Sequence, residues 1–174
     1  MIDLEKRALQ AIEGLSNCFL DEGDTGNVLE EILALLEERL GYKNGVVSLF
    51  DEESQSLLIE AATGVSRQAF EQVRYKKGEG ITGLILSTMT SLSIRRIGQD
   101  PRFLNRLGIH NPEEAFLGVP ILKGKKALGV LTCTLDAKER HSLDDHLRLA
   151  QTLANLIAAV VLRLHKQETE TQKV

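Results

Sequence analysis

The sequence predicts an α+β fold: an antiparallel sheet of about five to six strands, with N- and C-terminal helices on one face and a short helix plus loops roofing a pocket on the other. Three observations predict it. Apolar residues recur at helical spacing at both ends of the chain, alternating runs mark two hairpins between them, and a glycine turn opens a short helix between the hairpins.

Leu4, Ala8, Ala11, Leu15 and Cys18 recur at spacings of four and three, and Ile12 and Phe19 widen the stripe. Residues 1–22 therefore read as an amphipathic helix that Gly23 ends. A second helix is expected after Asp24-Thr25-Gly26, with Asn27 as its cap and Glu30 reaching back to it. Val28, Ile32, Leu35, Leu36 and Leu40 would face inward before Gly41 stops the helix.

From Gly45 the pattern becomes that of strands. Val46 to Phe50, a polar turn from Asp51 to Ser56, and Leu57 to Thr63 read as an antiparallel hairpin. A second hairpin joins Phe116–Leu122 to Ala127–Leu135 through Lys123-Gly124-Lys125-Lys126. Pro120 cannot donate to a ladder, so it marks a bulge or an edge.

The last helix starts at Ser142, with Asp144 and Asp145 complementing its dipole. It carries two apolar seams. Leu143, Leu147, Ala150, Ala154, Ile157, Val161 and Leu164 form one; Leu149, Leu153, Leu156 and Val160 form another, about 100° round the axis. One seam is expected to cover the sheet. The other is either an exposed stripe that builds a homodimer with the first helix, or is covered by that helix within one chain. Residues 23–165 thus form the globular domain, ending in this helix, and residues 166–174, without apolar periodicity, read as a linker remnant.

Composition narrows the function classes. Hydrophobic content of 43% and charged content of 26% suit a soluble domain, and the absence of Trp implies an aliphatic core. Two cysteines, Cys18 and Cys133, make neither a disulfide framework nor a metal motif, which fits a reducing, cytoplasmic setting. With net charge −4 and no basic helix, direct nucleic-acid binding is not expected. The amino terminus has acids where a signal peptide has basic residues. The uncharged apolar run Leu153–Leu162, broken by Asn155, falls short of the roughly 20 residues of a membrane span.

Charge is nevertheless uneven. Between Arg74 and Arg106 lie seven basic residues (Arg74, Lys76, Lys77, Arg95, Arg96, Arg102, Arg106) against Glu79 and Asp100, a local net +5 around Gly78-Glu79-Gly80-Ile81-Thr82-Gly83. A glycine turn opening a helix inside positive charge reads as an anion site or as a solvated loop.

Motifs for chemistry are few. His110, His141, His146 and His165 lack metal spacing and read as surface residues, so no metal or cofactor is expected. Asn111-Pro112-Glu113-Glu114 reads as a short helix start. Gly78-x-Gly80-x-x-Gly83 lacks the strand and acidic ribose reader of a dinucleotide fingerprint, and no phosphate loop of the Gly-x-x-x-x-Gly-Lys-Ser/Thr type occurs.

Two stretches carry a resemblance. Tyr75-Lys76-Lys77-Gly78-Glu79-Gly80-Ile81-Thr82-Gly83-Leu84-Ile85-Leu86 is similar to the glycine turn and roofing helix of GAF domains, the small-molecule sensor modules of signalling proteins. Leu117-Gly118-Val119-Pro120-Ile121, with Gly124 and Leu128-Gly129-Val130-Leu131, is similar to their central hairpin. Asp100-Pro101-Arg102-Phe103-Leu104-Asn105-Arg106 further resembles the amino-terminal GAF domains of nitrogen-fixation transcription activators, which are enhancer-binding proteins.

The resemblance implies a non-enzymatic sensor placed before an ATPase domain that remodels sigma-54 polymerase and a DNA-binding domain, neither of which is in this sequence. It implies a pocket between sheet and roof, and a small anionic ligand: 2-oxoglutarate, whose carboxylates suit arginine forks, or a cyclic nucleotide. Arg74, Arg95, Arg102 and Arg106 are then candidate carboxylate partners, Thr82 a hydroxyl at the roof's start, Asn105 a polar reader, and Phe103 and Phe116 apolar walls. A ligand-free dimerisation and relay module is a further reading. Some GAF-like proteins reduce free methionine sulfoxide with cysteines above the pocket, and photosensory relatives attach bilin through one; this sequence has no cysteine there.

Overall fold

The computed structural model describes residues 3–139 and 141–173; Met1 and Ile2 of the expected first helix and Val174 of the expected linker lie outside them. Two helices, α1 (Leu4–Cys18) and α2 (Thr25–Leu40), lead into strands β1 (Lys43–Asp51) and β2 (Ser56–Ala62). A short helix α3 (Arg67–Phe70), strand β3 (Arg74–Lys76), helix α4 (Gly80–Thr88) and strand β4 (Leu92–Ile94) form the middle segment. Strands β5 (Ala115–Lys123) and β6 (Lys126–Leu135) and helix α5 (Leu143–Thr171) complete the order. The sheet runs β3-β2-β1-β6-β5-β4, and every neighbouring pair is antiparallel.

The expected α+β sandwich is observed, with both long hairpins in place. Pro120 pairs with Val130 just beyond the short β4, whose pairing with β5 ends at Gly118. At Pro120 β5 is therefore an edge, and a ladder bulge follows between Ile121 and Leu122. α3, β3 and β4 went unread in the sequence because three or four residues are too few to show a period.

Capping decides the helix ends. Asp24, and not Asn27, caps α2: its carboxylate accepts from the Asn27 N–H at 3.2 Å, which leaves Asn27 inside the first turn. Gly41 ends α2 in the left-handed region at φ 73°. Asn111-Pro112-Glu113-Glu114 is a turn instead of a helix start, closed by the Asn111 Oδ1 accepting from the Glu113 N–H at 3.0 Å; β5 begins at Ala115 and leaves no room for a helix. The stretch from 166, expected as linker, carries α5 on to Thr171, and Thr25 Oγ1 donates to Glu168 at 2.7 Å.

Helices α2 and α5 pack on one face of the sheet, over Val47, Leu49, Leu117, Val119, Leu131 and Cys133, and α1 packs on these two helices. Both apolar seams of α5 are used within the chain. Leu153 and Val160 of the second seam are fully buried in the same core as Ala150, Ile157 and Val161 of the first, with Leu149 and Leu156 packed against it. The expectation of an uncovered seam is corrected: α5 packs against α1 and α2 as well as against β5. At about 1.5–3 kcal/mol for each fully buried aliphatic side chain, this core is the main stabilising layer. α5 is apolar enough by length and composition to resemble a membrane span, but those apolar residues are this core.

His146 is also inside, at 0% exposure, correcting its reading as a surface residue. It shares a helix face with Ala150 and Leu153, and its Nδ1 lies 3.0 Å from the buried Tyr42 hydroxyl.

Candidate functional site

The opposite face of the sheet is roofed by α4. Close approach sets its seat: a Cβ at Gly118 would collide with Ile85, and a Cβ at Gly83 would collide with the Lys76 carbonyl. The helix's own Ile81 and Ile85 join Leu57, Ile97, Phe116 and Val130 in one buried layer between roof and sheet. Phe116, a candidate pocket wall, is 2% exposed within that layer.

At the start of α4 the chain turns through Gly78 and Gly80, both at positive φ. Glu79 occupies the capping position without capping the helix, because its carboxylate is turned toward Arg106. Arg106 Nη2 meets Glu79 Oε1 at 2.5 Å and Nη1 meets Oε2 at 3.2 Å, a two-pronged fork. Nη1 also donates to the Arg74 carbonyl, and the guanidinium lies over the Tyr75 ring at 4.9 Å from its centroid. The Lys76 N–H adds a bond to Glu79 at 2.8 Å. Hydrogen bonding from Arg106 first, and from the Lys76 N–H next, pulls the Glu79 carboxyl down to about 2. This clasp ties the roof's first turn to the loop at residues 100–110 and to the edge strand β3.

Within that loop Phe103 and Asn105 both contact His110, and Phe103 also reaches Phe116 of β5. The Phe103 ring meets His110 edge-on at 5.0 Å and Phe116 at 6.3 Å, and Asn105 Oδ1 lies 3.1 Å from His110 Nδ1. His110 Nε2 is buried without a hydrogen-bond partner, and burial pushes the imidazole below its usual range. His110 is thus a half-buried member of the candidate site, and not the surface histidine its sequence context implied. It lies five positions beyond Asn105, and nothing local announces the contact.

The arginines do not converge. Arg74 turns its guanidinium onto the Glu71 and Val73 carbonyls at 2.5 and 3.1 Å and contributes only its backbone to the clasp. Arg102 makes a fork on Asp100, at 2.9 and 2.6 Å, which lowers that carboxyl. Arg95 stands apart in an exposed cleft shared with Arg96, Lys43, Glu113 and Lys138. Thr82 is half-buried in α4's first turn. Glu79, Tyr75 and His110 are the functional candidates that sequence reasoning missed; Glu79 lies 27 residues from Arg106, beyond any local pattern. Among the described residues no three His, Cys, Asp or Glu side chains gather as a metal site.

Comparison with known proteins bears on the fold and the family. The family model described as "GAF domain" matches residues 24–161. The Nif-specific regulatory protein of Azotobacter vinelandii is 34% identical over 164 residues, covering 92% of this chain and 31% of that protein, so the chain spans under a third of that relative. Among solved structures, the A. Aeolicus nlh2 GAF domain in an inactive state superposes with a TM-score of 0.81 at 23% identity, covering 92% of this chain and 99% of that one. Free methionine-R-sulfoxide reductase from Neisseria meningitidis, in complex with its substrate, shares the fold at a TM-score of 0.73 and 17% identity, over 96% of this chain and 97% of that one. With its roofed sheet, its glycine turn and a matching model across most of its length, the chain belongs to the GAF domain family.

Proposed function

We propose that this chain is the sensor domain of a cytoplasmic sigma-54-type transcription activator of the nitrogen-fixation kind, and that it binds a small dianion such as 2-oxoglutarate at the roof. One observation carries the ligand reading: Arg106 already holds a carboxylate, that of Glu79, with both prongs at the opening of α4. A ligand carboxylate would take that place and free Glu79 to swing away, loosening the roof from the loop at 100–110. The similarity to Nif-specific regulatory proteins supports the setting, and the ATPase and DNA-binding domains would lie in the remainder of the activator.

A bonded path leads from the roof to the terminal helix. Ser91, just beyond α4, donates to Gln151 Oε1 at 2.7 Å, and Gln151 Nε2 donates to the Pro120 carbonyl at 3.0 Å. Farther along α5, Arg163 Nη2 donates to the Asp21 carbonyl at 2.6 Å, tying it to the end of α1. Movement of the roof would bias α5 through Gln151 and so the output domains attached beyond it. Homodimerisation through the terminal helices is part of this proposal; Leu9 of α1, at 57% exposure, and Leu20 just beyond its end, at 84%, would be apolar contacts.

No catalysis is proposed. Cys18 and Cys133 sit in the core on the helix side of the sheet, away from the roof, and burial pushes the Cys133 thiol up to about 12, far from a thiolate nucleophile. Calorimetric titration is the test. Heat with 2-oxoglutarate that vanishes in Arg106→Ala supports the reading; heat with cyclic nucleotides alone favours the rival ligand, and heat with neither leaves a relay module.

A further inference from the structure

A second cleft lies on the flank of α4 that faces the hairpin turns. The β1–β2 turn, the β5–β6 turn, Lys77 and the last turn of α4 surround a space of about 330 Å³. Its floor is apolar: Phe50, Leu86 and Ala127, which continue the buried layer under the roof, with Met89 at the rim. None of the clasp residues lines it.

Its rim is cationic. Lys77, Lys125 and Lys126 face it together with one acid, Glu52, in a protein whose net charge is −4. Lys126 is engaged with the Glu52 carboxylate at 2.5 Å, whereas Lys77 and Lys125 have no ion pair among the described residues. The rim's backbone is held in sparsely populated conformations: Gln55 and Met89 are two of the four non-glycine residues at positive φ among those described, at 53° and 54°. That geometry keeps Met89, 44% exposed, at the mouth.

We infer that this cleft binds a small carboxylate with an apolar body, the charge between Lys77 and Lys125 and the body on Phe50, Leu86, Met89 and Ala127. Glu52 already places one carboxylate on this rim, held by Lys126. A volume at the small end of ligand clefts limits the body to roughly one ring or a short branched chain. A fully polar dianion would leave the floor wet, and a neutral molecule would leave the lysines unpaired. An aromatic body adds edge and thioether contacts with Phe50 and Met89.

Amide-resolved NMR titration with phenylacetate tests this, with phenylacetamide as the neutral isostere and 2-oxoglutarate as a separate arm. Phenylacetate is expected to shift the amides of Phe50, Leu86, Met89 and Ala127 saturably, and the double variant Lys77→Gln/Lys125→Gln to weaken it about fivefold or more. Equal affinity for phenylacetamide, shifts confined to other residues, undiminished affinity in the double variant, or no saturable shift would each overturn the inference. Shifts with 2-oxoglutarate at Glu79 and Arg106 bear only on the roof, so the two readings stand or fall apart.

Discussion

Arg106 grips Glu79 across 27 residues of sequence, its two terminal nitrogens on the two carboxylate oxygens at 2.5 and 3.2 Å. The pair joins the loop at residues 100–110 to the capping position of the roof helix α4. An internal carboxylate in an arginine fork is a competitor for any external one. Glu79→Gln should therefore tighten 2-oxoglutarate binding by about fivefold, the rough worth of a partly exposed two-pronged pair. Calorimetry on both proteins decides it: equal or weaker binding by the variant counts against competition.

The same pair has a defined pH window. Glu79 is held at about 2, below its ordinary value of 4.5, so its contribution is fully present above 4.5 and is lost as pH falls through about 2. Carboxyl chemical shifts followed on acidification should show Glu79 titrating after the other exposed glutamates. Amide exchange at residues 78–83 should rise only when it does.

His146 predicts a second pH effect at neutral values. Burial first, and then Arg7 and His141, hold its imidazole below the ordinary 6.5, against the opposing pull of Glu139 and Asp145. The unfolded chain takes up the proton more readily, so stability is full above 6.5 and declines as pH falls below it. Urea unfolding at about pH 7.5 and about pH 5.5 should show this decline, and His146→Phe should reduce it. An unchanged slope would place the titration elsewhere.

Phe116 and Arg95 should separate cleanly. Phe116→Ala opens a cavity in the layer under α4 and should cost about 3–5 kcal/mol of stability. Arg95→Ala, at an exposed cleft, should stay within about 0.5 kcal/mol. Denaturant midpoints measure both; a stable Phe116→Ala would mean that the layer has room for a ligand body.

Gln151→Ala removes the link from Ser91 to the Pro120 carbonyl. Ligand-induced changes in amide exchange should then persist in α4 and disappear from α5. If α5 still responds, the signal travels through the packed core instead.

Much of this molecule was legible in its residues. The stripe of α1, the stop at Gly41, the two long hairpins and the start of α5 at Ser142 follow from local periodicity and local capping, which need only near neighbours in the chain. The glycine turn was legible as a helix start for the same reason. Asn27 lost the cap to Asp24 because α2 begins at Thr25, three positions earlier than expected, which puts the Asn27 N–H within reach of the Asp24 carboxylate.

The sequence by itself determined the fold class, the excess of positive charge from Arg74 to Arg106, and the resemblance that names the family. Only the tertiary structure decided how that charge is used. Arg106 reaches Glu79, 27 residues away, while Arg95 is left apart. It also decided that α5 spends both seams inside one chain and that His110 and His146 are enclosed. The physical reason is range: periodicity and caps act within a few residues, whereas ion pairing and burial depend on which distant segments the sheet order brings together.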